Sequence, residues 1–246
     1  MALINKLSAI GNAIREKTGK TDLLTLDQMP QEIKGIETGS SDNHYDTFWD
    51  SFQQNGERKH YYGGFSGQGW TDEIFYPKYN IVPTTSQNLF QYALITDLVQ
   101  RLKDCGVTLD TSQSTGMGYI FGNMNNITTI PHISFAKVTG TQAYCFHGDS
   151  KLHTIEKLTL KKELKYTNFL TGCNSLENLT IEGEIGTNFI LVNSSKLTTE
   201  SVNSVINALV DLTGATAQTL TLHATVKANL TETQIASITS KNWTLA

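Results

Sequence analysis

The chain lacks the features that mark most secreted, membrane-spanning and metal-dependent proteins. Its 246 residues include three cysteines, at positions 105, 145 and 173, an odd number at wide intervals. That spacing suits neither a disulfide framework nor a metal site. Cys145 and Cys173 flank recurring aromatics and are expected as small buried apolar side chains. No run approaches the roughly 18 apolar residues of a membrane-spanning helix. Positive charge is also scarce: 19 Lys and Arg against 23 Asp and Glu leave a net charge of −4 and a pI near 5.9. This argues against a nucleic-acid footprint. Met1 to Ile14 contains Lys6 and scattered polar residues rather than a continuous apolar core, so no signal peptide is expected.

Catalytic motifs are equally scarce. Gly19-Lys20-Thr21 resembles the end of a phosphate-binding loop, but the position five before Gly19 is Ile14 rather than glycine. Gly64-Phe65-Ser66-Gly67 resembles a nucleophile elbow, but position 68 is Gln. The six histidines show no metal-ligand spacing, although His132, His147 and His153 could approach one another across adjacent units. Asp42, Asp46 and Asp50 lack the glycine and terminal glutamate of a calcium loop. Lys157, Lys161, Lys162 and Lys165 read as a solvated face. The five Asn-x-Ser/Thr sequons read as chance in so Thr-rich a chain. No cofactor, metal or catalytic residue is expected.

What is present is a degenerate repeat. Phe121 precedes Ile127 and Ile130, Phe146 precedes Leu152 and Ile155, and Phe169 precedes Leu176 and Leu179. The aromatics recur at intervals of 25 and 23 residues. Such a period predicts a solenoid, in which each unit buries its apolar face by stacking on its neighbours. The array is expected over 84–197, with the aromatics in one column and strands near Leu152–Leu160 and Leu176–Ile181.

Other segments flank it. Leu3, Ile4, Leu7, Ile10 and Ile14 recur at helical spacing, so residues 1–36 read as a helical docking or oligomerisation module. Residues 37–43 read as a polar linker. Residues 44–83 hold half of the chain's aromatics and are expected to cap the array. Their sharper reading is a sugar-stacking platform, with Tyr61, Tyr62, Trp70 and Tyr76 as candidate contacts. Residues 198–246 read as an αβαβ cap: a helix after Thr198 ended by Gly214, a strand at Leu220–His223, a Thr231-x-x-Gln234 capping box and a strand at Trp243–Leu245.

Tyr144–Leu160 (YCFHGDSKLHTIEKLTL) and Asn168–Ile181 (NFLTGCNSLENLTI) resemble the BspA-like leucine-rich repeats, with Cys173-Asn174-Ser175-Leu176 the best-matched step. Position 149 is Asp where that family commonly has Cys, and the Phe121 unit has no Cys. Leu7–Ile36, above all LTLDQMPQEI at 24–33, resembles an N-terminal module of phage and prophage tail or baseplate-associated proteins of gut Firmicutes. Leu197–Ala246 resembles the ends of such proteins. These resemblances imply an α/β fold built on a BspA-like leucine-rich-repeat solenoid. They also imply a non-enzymatic, tail-associated virion protein, made in the bacterial host cytoplasm, that contacts a host-surface glycan or protein. The alternative is a bacterial cell-surface adhesin of the same repeat class. A polysaccharide depolymerase ranks third.

The apolar stripes of 1–36 are too short to hold a core alone. Light scattering should therefore show the full chain self-associating, and a truncated chain beginning at Asp42 as a monomer. Monomeric behaviour of both would remove the case for self-association through this segment.

Overall fold

A computed structural model describes residues 10–14, 16, 53–54, 57–58, 65–67, 69–77, 80–83 and 85–246. The chain divides into two compact units, Met1–Phe48 and Trp49–Ala246. In the first, residues 10–14 and 16 are helical, with Ile14 buried and Ile10 exposed. The rest of the expected 1–36 module, the 37–43 linker and the three aspartates at 42, 46 and 50 lie outside the described residues, as do Tyr61 and Tyr62.

The second unit is mixed α/β with few helices and small sheets, which corrects the expected leucine-rich-repeat solenoid. A short antiparallel pair joins β1 (Gln53–Gln54) to β2 (Glu57–Arg58). The other named strands pair in parallel but divide among three sheets. In the largest, β6 (Thr154–Leu160) is flanked on one side by β8 (Asn178–Gly183). On its other side lie two fragments, β3 (Thr129–Ile130) and β4 (Ile133–Ser134). Pro131 falls between those fragments. It has no backbone N–H to offer a ladder, and the strand breaks there. β5 (Thr141–Ala143) pairs only with β7 (Lys165–Thr167), and β9 (Phe189–Leu191), β10 (Gln218–Leu222) and β11 (Trp243–Leu245) form the third parallel sheet. One sheet does not run the length of the array.

Besides these strand pairs, successive segments are linked by a ladder through bends. Phe65 N–H donates to Leu89 O, Phe90 N–H to Ile120 O, Phe121 N–H to Cys145 O and Phe146 N–H to Phe169 O, at 2.7–2.9 Å. In the first three steps the acceptor belongs to the residue before the next ring. The fourth follows the same rule only if Leu170, not Phe169, continues the column. Ring geometry agrees. Phe65, Phe90, Phe121 and Phe146 stack face to face, with centroids 5.1, 5.4 and 5.5 Å apart and interplanar angles of 24°, 2° and 14°. Phe169 instead meets Phe146 edge-on at 84°. Phe121, Phe146 and Phe169 are all buried and in successive contact, but the alignment of Phe169 with Phe146 is one residue out of step. Phe90 and Phe121 are 31 residues apart because the intervening segment carries a helix, Leu98–Asp104, capped by Asp97 Oδ1 on Gln100 N–H.

The open edge of β8 is closed by side chains. Ser201 Oγ accepts from Leu179 N–H at 2.8 Å and Ser204 Oγ from Ile181 N–H at 2.7 Å. Both serines lie on the helix Thr199–Ala208, which so covers an edge that would otherwise template further pairing. Thr198 caps that helix, and Lys241 Nζ donates to Ile206 O and Leu209 O at its far end, satisfying terminal carbonyls. The helix therefore ends near Ala208 rather than at Gly214. A further helix, Ala224–Ala228, precedes the capping-box helix Glu232–Ser240, so the expected αβαβ order is corrected to αβααβ.

Phe146 is fully buried between Phe121 and Phe169. Phe146→Ala should cost about 3–5 kcal/mol in denaturant unfolding. A cost below about 1 kcal/mol would contradict its place in the core.

Candidate functional site

Phe90, Phe121 and Phe146, and Leu170 after them, are each bracketed by left-handed backbone two residues before and two after. The preceding positions are Asn88 (φ 56°), Tyr119 (54°), Tyr144 (58°) and Asn168 (48°). The following ones are Tyr92 (63°), Asn123 (62°), Gly148 (81°) and Gly172 (87°), with Gly67 (103°) beside Phe65. Asn and Gly suit this conformation, while a bulky residue there is a steric outlier. At 148 a Cβ would also lie 2.6 Å from Asn123 Oδ1, so that side chain would have to move to admit any other residue. Tyrosine at 92, 119 and 144 is the exception, with a strain of about 1–3 kcal/mol at each position; Tyr119 and Tyr144 lie on adjacent segments. Their rings stack at 4.9 Å and 11°, which offsets part of that cost. Tyr144 also takes the edge of His147 at 5.2 Å.

Beside Tyr119 opens a cleft of about 590 Å³, within the size range of small-ligand sites. Three successive segments line it: Gln87 and Asn88, then Thr115 and Tyr119, then Thr139 and Gln142. Gln142 is buried and locks the wall. Its Oε1 accepts from Met117 N–H at 3.0 Å and its Nε2 donates to Thr139 O at 2.9 Å. Gln87 and Asn88 are exposed. Among the described residues no lining side chain carries a charge. The two expected contacts that are described, Trp70 and Tyr76, lie elsewhere. Trp70 is half-buried with its ring against Phe65 and Phe75. Tyr76 is 53% exposed, with the Arg101 guanidinium 4.4 Å over its ring. The cleft residues went unread because they come from three separated segments; the available signal was the recurrence of Tyr two positions before Phe121 and Phe146.

The titratable groups take local partners. His132 Nε2 is 2.8 Å from Thr159 Oγ1, which donates to Glu182 Oε2 at 3.0 Å. Lys157 Nζ lies 3.1 Å from the same carboxylate. The Lys157 and Thr159 hydrogen bonds hold Glu182 below the usual carboxylate range, and burial lowers His132. His153 pairs with Glu177, so the three central histidines turn to different partners. Among the described residues no group of three or more His, Cys, Asp or Glu could hold a metal ion. Cys145 and Cys173 are buried free thiols, but they are more than apolar filler: their thiols donate to Met117 O and Phe146 O, each at 3.0 Å.

Asp149 is fully buried. Its Oδ1 accepts from Met124 N–H at 2.8 Å, while its Oδ2 has no hydrogen-bond partner. Burial raises its pKa well above the usual carboxylate value. No family model matches the chain, and neither the search of curated proteins nor that of solved structures returned a match. Among the described residues no helix is long and apolar enough to cross a membrane.

A raised folded-state pKa means that the native protein holds this proton where the unfolded chain has released it. The associated stability is complete below the unfolded value, about pH 4, and is lost as pH rises toward the folded value. Asp149→Asn keeps the acceptor for Met124 N–H without the ionisation. Thermal melts from pH 4 to 8 should show the variant gaining on the wild type as pH rises; parallel curves would refute the assignment.

Proposed function

We propose that the chain is a non-enzymatic, tail-associated protein of phage type that binds a host-surface polymer. The observation that carries the binding part is the cleft beside the stacked Tyr119 and Tyr144, uncharged among its described lining residues and built across successive segments of the ladder. Sites on well-packed elements hold a fixed geometry without ordering a loop on each encounter. The tail association rests on the resemblance of 7–36 and 197–246 to phage and prophage tail proteins, with residues 1–36 as the docking segment toward tail or baseplate proteins. A surface role also accords with side-chain chemistry. The ionisable groups near the exposed strands are engaged in pairs such as Lys157–Glu182 and Lys162–Glu184, and the acid that burial perturbs most, Asp149, is sealed from solvent.

Purified particles induced from a lysogen carrying this chain should contain it by mass spectrometry. The isolated full chain should co-sediment with cell-wall polysaccharide from the same host. Absence from the particles would overturn the tail assignment, and failure to co-sediment would overturn the polymer-binding one.

A further inference from the structure

We infer that the cleft beside Tyr119 is a saccharide subsite for an electrically neutral sugar unit. The inference rests on the polymer-binding reading above and names its site and ligand class. Three observations carry it. The described lining residues offer amides and hydroxyls, from Gln87, Asn88 and Thr139, but no ionised group, so they give an anionic or cationic ligand no counter-charge. It also offers an aromatic ring. The ladder places Asn88 on the step before Tyr119, with Asn88 N–H donating to Gly118 O at 3.0 Å. Tyr119 lines the cleft, is half-buried, and is backed by the stacked ring of Tyr144. A sugar ring presents an apolar C–H face and a rim of hydroxyls, and this pairing of one aromatic with several neutral hydrogen-bonding groups answers both.

The third observation is room. Gly116 and Gly118 line the cleft and put no side chain into it. A Cβ at Gly116 would come within 3.1 Å of Gln87 Nε2, and one at Gly118 would meet only Ala143 O at 3.8 Å. The cleft's polar wall is fixed in advance, since Gln142 is held at both ends of its amide. Tyrosine at a left-handed position, where the equivalent steps carry Asn88 and Asn168, is what a retained stacking ring would require.

The experiment is a glycan array and titration calorimetry with the full chain, using neutral oligosaccharides of hexoses and N-acetylhexosamines beside uronic-acid and sulfated counterparts. Tyr119→Asn is the informative variant, because Asn already occupies the same left-handed position at 88 and 168 and should preserve the fold, as a thermal melt will show. Gln87→Ala changes an exposed side chain and is the second. The wild type should bind neutral glycans with little dependence on salt, and each variant should bind about tenfold or more weakly, a difference of one decade in Kd. Unchanged binding by both variants would overturn the site while leaving polymer binding intact. Binding of charged glycans alone would overturn the ligand class. Retention of host polysaccharide without binding of any array glycan would overturn the neutral-saccharide inference, and loss of both would remove the polymer-binding reading with it.

Discussion

The second unit depends on one backbone constraint: a buried ring held between two left-handed residues. Reversal of φ at positions two before and two after Phe90, Phe121 and Phe146 turns the chain sharply enough to bring each ring over the next. It also aims alternate N–H groups at the carbonyls of the following segment. Ring stacking and the ladder are thus two consequences of one geometry. Neither would persist alone, because backbone amides withdrawn from water must find partners, and the bends are too tight for a conventional strand to supply them.

The same constraint explains the buried polar side chains. Bends leave some donors and acceptors off the ladder, and neighbouring segments satisfy them with short polar groups. Thr111 Oγ1 accepts from Ser134 N–H and donates to Ser134 O. The Ser86 and Ser114 hydroxyls are 2.6 Å apart, and Ser114 donates on to Pro83 O. Cys145, Cys173 and Asp149 act likewise on Met117 O, Phe146 O and Met124 N–H. Aspartate is the costly choice among these, since a buried carboxyl must keep its proton to avoid an unpaired charge. That cost is bound to packing and gives no reason to assign Asp149 a chemical task.

The cleft follows from a local departure within this frame. Where the ladder carries Asn at 88 and 168, Tyr at 119 and 144 adds two stacked rings to the outside of the column. In the longer stretch between Phe90 and Phe121, Gly116 and Gly118 line the cleft without side chains to fill it. Rigid walls, one ring and neutral polar groups then meet at a point that no single segment defines.

Several features were determined by the sequence on its own. The recurrence of Phe near every 25 residues, the Thr231–Gln234 capping box and the strand Trp243–Leu245 all arise from local spacing. Local rules suffice for them because a cap or an apolar period is decided by residues a few positions apart. Tertiary structure alone decided the rest. The ladder passed the column from Phe146 to Leu170 although Phe169 has the more obvious side chain. The cleft joined residues from 87 to 142. Each outcome turned on which backbone group met which across more than twenty positions, and hydrogen-bond register of that range is set by packing between segments, on which composition and periodicity are silent.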